Sequence, residues 1–109
     1  MKFGNWDVGG EVVKENEVYT VKDNTALKNL IVSSTTLHPG KSTSGHSHAG
    51  QEEVYQFIFG SGRMTLDNET FDVNPGDVVL IQDGVFHRVH NTGTEKMYFV
   101  CVFDGKRNH

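Results

Sequence analysis

His46-Ser47-His48-Ala49-Gly50-Gln51-Glu52-Glu53-Val54-Tyr55-Gln56-Phe57-Ile58-Phe59-Gly60 is the stretch on which the fold can be read. Two histidines one residue apart project from the same face of an extended chain, because strand side chains alternate with period two. On a helix they would diverge by about 200°, since successive residues turn by about 100°. From Glu53 onward the same alternation puts Glu53, Tyr55, Phe57 and Phe59 on one face and Val54, Gln56 and Ile58 on the other. Both faces are largely apolar, so the strand reads as buried on both sides. A carboxylate at the head of such a strand needs a partner, and a metal ion supplies one. A third histidine, His87, stands far downstream. Imidazole and carboxylate together suit iron, manganese, nickel, copper or zinc.

Outward from this stretch the chain reads as strands separated by turns. The expected strands are Glu17–Val21, Asn29–Leu37, Glu53–Phe59, Arg63–Leu66, Thr70–Val73, Val78–Ile81, Phe86–His90 and Lys96–Phe103. Between them lie glycine-, asparagine- and aspartate-rich segments such as Gly60-Ser61-Gly62, Asn74-Pro75-Gly76-Asp77 and Asn91-Thr92-Gly93. No segment carries a helical period. Many short strands at regular spacing predict an all-β antiparallel sandwich or barrel, and about eight of them fit a jelly roll. Residues 1–16 are weakly patterned and read as an edge strand or as an arm on a neighbouring subunit. A barrel core over 29–103 and an arm over 1–16 would make residues 1–109 one domain.

The composition excludes several classes. Net charge is −4 over 109 residues, and Lys106 and Arg107 are too few to form the basic stripe of a nucleic-acid binder. No run approaches the roughly 20 apolar residues of a membrane helix. The start of the chain lacks the apolar stretch and cleavage site of a secretory signal, so a cytoplasmic location is expected. Asn68-Glu69-Thr70 then reads as turn chemistry, not as a glycosylation acceptor. The single cysteine, Cys101, lies in an apolar run and reads as a buried thiol.

These residues resemble the cupin superfamily. Its first motif, G-x5-H-x-H-x3,4-E-x6-G, runs here through Gly40, His46, His48, Glu53 and Gly60 with every spacing met. Glu52 satisfies the shorter ligand spacing, but only Glu53 stands six residues before Gly60 and shares parity with Tyr55 and Phe57. The second motif, G-x5-P-x-G-x2-H-x3-N, runs through Gly76, Gln82, Gly84, His87 and Asn91, with Gln82 in place of proline. The resemblance implies a conical β-barrel with His46, His48, Glu53 and His87 converging on one divalent ion (iron, manganese, nickel or zinc). It also implies a homodimer, often with exchange of the N-terminal strand, and a small-molecule substrate.

Three imidazoles and one carboxylate would leave a divalent ion with a residual charge of about +1 and open positions for a bidentate ligand. The stretch 51–55 is similar to the first motif of short cupins grouped with sugar-phosphate isomerases. Isomerisation or epimerisation of a sugar or sugar phosphate is therefore the leading expectation. Glu53 and Tyr55 are the candidate catalytic residues, with Glu53 or a hydroxide on the metal moving the proton. The alternatives are a non-haem dioxygenase and a non-catalytic sugar- or small-molecule-binding module. Tyr55, Phe57 and Val89 are expected to line the cavity. His90 and Arg88 have the opposite parity to His87 and are expected to point away. His38 reads as an exposed turn residue, His109 as a disordered terminal residue, and Arg63 as surface charge or an anion clamp at the barrel mouth.

Overall fold

A computed structural model of the chain describes residues 1–105; Lys106, Arg107 and His109 lie outside the described residues. The described residues form nine strands and no helix: β1 (Glu11–Glu15), β2 (Tyr19–Asn24), β3 (Leu30–Leu37), β4 (Glu53–Phe59), β5 (Gly62–Leu66), β6 (Glu69–Val73), β7 (Val78–Ile81), β8 (His87–His90) and β9 (Met97–Asp104). All pairs are antiparallel. One sheet has six strands in the order β1-β2-β3-β9-β4-β7, and the other has three in the order β6-β5-β8. The jelly-roll expectation is met.

The alternation that predicted the strands also builds the core. Leu37, Phe57, Met64, Val89, Met97 and Phe99 are the inward residues of β3, β4, β5, β8 and β9, and all are buried. Cys101 joins them on β9. Asn91 closes the far end, its amide donating to the carbonyls of Leu37 and Glu95 at 3.0 and 2.8 Å. The turn at Gly60-Ser61-Gly62 needs its glycines. Gly60 has φ +77°, and a Cβ on Gly62 would lie 2.2 Å from the His90 carbonyl oxygen.

Of the two readings of residues 1–16 the edge strand is present, and four other expectations are corrected. The weakly patterned start contains an edge strand, β1, and residues before it fold back on their own chain: Asp7 pairs with Lys22 at 2.9 Å, and Tyr98 donates its hydroxyl to the Trp6 carbonyl. The second strand begins at Tyr19, not Glu17, because the Asn16 side chain accepts from the amides of Val18 and Tyr19 and makes a turn there. The 53–59 strand is not covered on both sides, since Val54 and Gln56 are exposed. Phe59 does not share the face of Phe57: the register slips by one residue at Ile58, and Phe59 turns outward, 52% exposed. His38 is half-buried, its amide donating to the Val18 carbonyl.

Candidate metal centre

The segment 41–48 holds the histidine pair without being a regular strand. Gly45, with φ +83°, interrupts it, and only isolated bridges join it to β8. It nonetheless runs antiparallel to β8, stitched by Asn91 N–H to the Lys41 carbonyl, Thr43 N–H to the Val89 carbonyl, and a reciprocal pair between His46 and His87 at 2.9 and 3.0 Å. This backbone bridge brings the first motif beside the second. Glu53, at the head of β4, pairs with Ile81 and Phe103 on its two neighbours and so points into the barrel.

Ligand atoms of His48, Glu53 and His87 lie within 4.8 Å of one another, and all three residues are buried. His46 is not in this group. Its ring stacks on that of His48 at 5.5 Å and 23°, and its Nε2 is 3.0 Å from the Ser44 hydroxyl. Glu52 is exposed. His90 faces away, between the hydroxyls of Ser42 and Thr65 at 2.9 and 3.0 Å. Arg88 is half-buried and donates to the Thr43 carbonyl.

The electrostatics concentrate on His87. Its Nδ1 donates to the Val85 carbonyl at 3.1 Å, which leaves Nε2 facing Glu53 Oε2 at 2.8 Å. A lone pair on that nitrogen would oppose the carboxylate, so the closeness of the two groups favours the charged imidazole. Burial pushes the His87 pKa down, but the Glu53 hydrogen bond, the Val85 carbonyl and the Glu53 charge outweigh it, and the net shift is upward. His46 is held below its ordinary value by burial first, then by the charges of His48, Lys14 and His87, against the opposing pull of Glu53. The donor set fits a divalent metal: a buried carboxylate, two imidazoles, and a carbonyl that fixes the tautomer of one of them.

Above the cluster lies a cavity of about 40 Å³ lined by Lys14, Tyr19, Thr35, His46, Tyr55 and His87 among others. Tyr55 sets its ring edge-on to His87 at 5.7 Å and stacks on Phe99 at 5.4 Å. Phe57 and Val89 do not line the cavity but belong to the closed core. Arg63 is also absent from its wall; it pairs with Asp72 at 3.3 Å on the smaller sheet. The cation at the mouth is Lys14, which the sequence reading missed.

A double-stranded β-helix with a histidine–glutamate cluster in its interior defines a small barrel protein with a candidate metal site. The chain belongs to the Cupin domain family, whose profile matches residues 33–103. It is 30% identical to an uncharacterized protein of Methanocaldococcus jannaschii over 76% of this chain and 75% of that one. It is 32% identical to the glucose-6-phosphate isomerase of Thermococcus kodakarensis over 91% of this chain, and spans 61% of the isomerase's length. Among solved structures it superposes on the oxalate decarboxylase of Bacillus subtilis, a protein with Mn(II) centres, with TM-score 0.80 and 26% identity, over 91% of this chain and 29% of that one.

Proposed function

We propose that the protein is a metal-dependent enzyme that isomerises a small oxygen-rich metabolite, a sugar or sugar phosphate. The observation that carries this is the buried His48–Glu53–His87 cluster beneath a tyrosine-lined cavity. The likeness to glucose-6-phosphate isomerases supports it. In this reading His46 completes the ligand set with His48, Glu53 and His87. A divalent ion bound there supplies Lewis acidity to adjacent substrate oxygens. The Glu53 carboxylate takes a proton from the carbon beside the substrate carbonyl and returns it to the former carbonyl carbon, while the proton of the neighbouring hydroxyl passes to the carbonyl oxygen. Tyr55 holds the substrate against the Phe99 wall. The test is NMR of metal-reconstituted protein with glucose 6-phosphate, fructose 6-phosphate and the free hexoses. Interconversion that Glu53→Gln abolishes is expected. Full metal loading with no turnover of any of them would overturn the isomerase reading.

A second reading, binding or conversion of a small organic acid, is favoured by the narrowness of the cavity, about 40 Å³. The likeness to oxalate decarboxylase points the same way.

Metal and proton compete for His87. With its pKa raised by Glu53, the imidazole is still protonated above the ordinary value of about 6.5. The apo protein therefore draws stability from the pair at pH below about 6.5 and loses it as pH rises through the raised value. Metal binding is expected to release about one proton per ion in that window, to weaken as pH falls toward 5, and to release none at His87 well above it. Calorimetry in buffers of different ionisation enthalpy measures this directly. A proton count of zero throughout would place the ion elsewhere.

We also propose that the protein is a homodimer paired through the outer face of the six-stranded sheet. Val32, Val102, Val54 and Leu80 stand in one register row across β3, β9, β4 and β7, and Leu80 is 68% exposed. A sheet that faces water on one side alternates polar outward, so the exposed Val54–Leu80 end of this row lacks a covering layer, and a second copy brings a matching one. Leu80→Lys is expected to halve the mass seen by light scattering. A wild-type monomer at micromolar concentration would refute the pairing.

A further inference from the structure

β1 is built inside out. Its two valines, Val12 and Val13, stand 53% and 47% exposed, while Lys14 is the residue of the strand that is partly covered. An edge strand laid over a barrel ordinarily turns its apolar side chains inward and its lysine to water. The register shows how the inversion arises. Val12 pairs with Lys22 and Lys14 with Val21, so Val13 is an extra residue bulged out of the ladder. A one-residue bulge re-aims the side chains that follow it. Val21 points into the barrel and is buried, and Lys14, its cross-strand partner, takes the same face. Lys14 therefore lines the cavity that His46, Tyr55 and His87 also line. Its charge reaches His46, where it adds to burial and to His48 in disfavouring the imidazolium. Among the described residues no carboxylate lies within ion-pair distance of it. Two valines given to solvent and an ammonium given to a cavity run against the usual pattern of an edge strand, and they put Lys14 where a ligand entering the cavity would meet it. The acidic overall charge of the chain does not oppose this, because one ammonium in a confined space acts locally.

We propose that Lys14 is a substrate-binding residue that receives an anionic oxygen group, carboxylate or phosphate, of a ligand held at the His48–Glu53–His87 cluster. The inference rests on the metal-site reading above and narrows it: the substrate is an anionic chelator, and neutral sugars are poor ligands.

The test uses Mn(II)-loaded full-length protein at about pH 8, where lysine is charged and imidazole is neutral. Three probes displace water from the ion, read by water-proton relaxation: oxalate, inorganic phosphate and imidazole as a neutral ligand. Lys14→Met is expected to weaken oxalate, phosphate or both by roughly tenfold, the lower end for a charge-assisted hydrogen bond. Imidazole and Mn(II) affinities should stay within about twofold, and Lys14→Arg should retain the anion affinity. The anion that suffers the larger loss identifies the group as carboxylate or phosphate. Equal loss for imidazole and the anions would make Lys14 a structural residue and overturn the proposal. Unchanged affinity for both anions would overturn it too, with the metal site left standing. Failure of the wild type to bind Mn(II) would overturn both readings together.

Discussion

Glu53→Gln is expected to weaken binding of a divalent ion by on the order of a hundredfold or more, with the barrel still folded. Glu53 is the one carboxylate in the cluster with His48 and His87, so its replacement removes the negative charge that makes the site a cation trap. The fold should survive because glutamine has the same shape and offers an N–H to His87 Nε2, which is then a neutral acceptor. The buried contact at 2.8 Å thereby persists as an ordinary hydrogen bond. Proton release on metal binding should fall in the same variant, since the Glu53 charge no longer raises the His87 pKa and the Val85 carbonyl alone opposes burial. Titration calorimetry with Zn(II) or Mn(II), beside a melting curve of the apo protein, measures both halves of the expectation. Unchanged affinity would show that the ion is held by other residues.

Phe57→Ala is expected to cost about 3–5 kcal/mol of folding stability, the range for removing a fully buried aromatic. Phe57 is fully buried, with its ring 5.2 Å from Phe99 and 6.4 Å from Tyr55. Its loss opens a cavity between the two sheets that neighbouring side chains cannot fill. Tyr55→Ala should cost less, because Tyr55 is only half-buried and borders space already open. Urea unfolding of the two variants separates these roles. A loss below about 1 kcal/mol at Phe57 would return it to the cavity wall, since full burial predicts a larger value.

The contrast between these residues shows how far the sequence could be read. Alternation along 53–57 correctly put Glu53, Tyr55 and Phe57 on one side, because the backbone there keeps an unbroken ladder with β9. It could not say which of the three meets open space, since that depends on how strands distant in sequence stack over them. Alternation failed where one residue was added. The slip at Ile58 turned Phe59 outward, and the bulge at Val13, in a stretch for which no facing was read, turned Lys14 inward. A bulge reverses every later side chain of its strand while leaving composition untouched, so neither event has a signature in a single sequence. The motif spacings brought His48, Glu53 and His87 together on the page before the structure did. Yet His46, equally placed by spacing, turns toward Ser44, where a glycine-bent segment replaces the strand that parity assumed.

The position of β9 has a consequence for how the molecule is made. It is the last strand of the described chain, yet it lies in the middle of the larger sheet, between β3 and β4. A ribosome delivers β3 and β4 long before the partner that joins them, so until β9 emerges both carry an open hydrogen-bonding edge. The nascent chain therefore cannot acquire its barrel piecemeal. It stays dependent on a late, long-range closure, and during that interval its aliphatic strands are exposed to pairing with other chains. Disruption of β9 should thus harm yield more than stability measurements on purified protein would suggest, because the damage falls in the window before folding is complete.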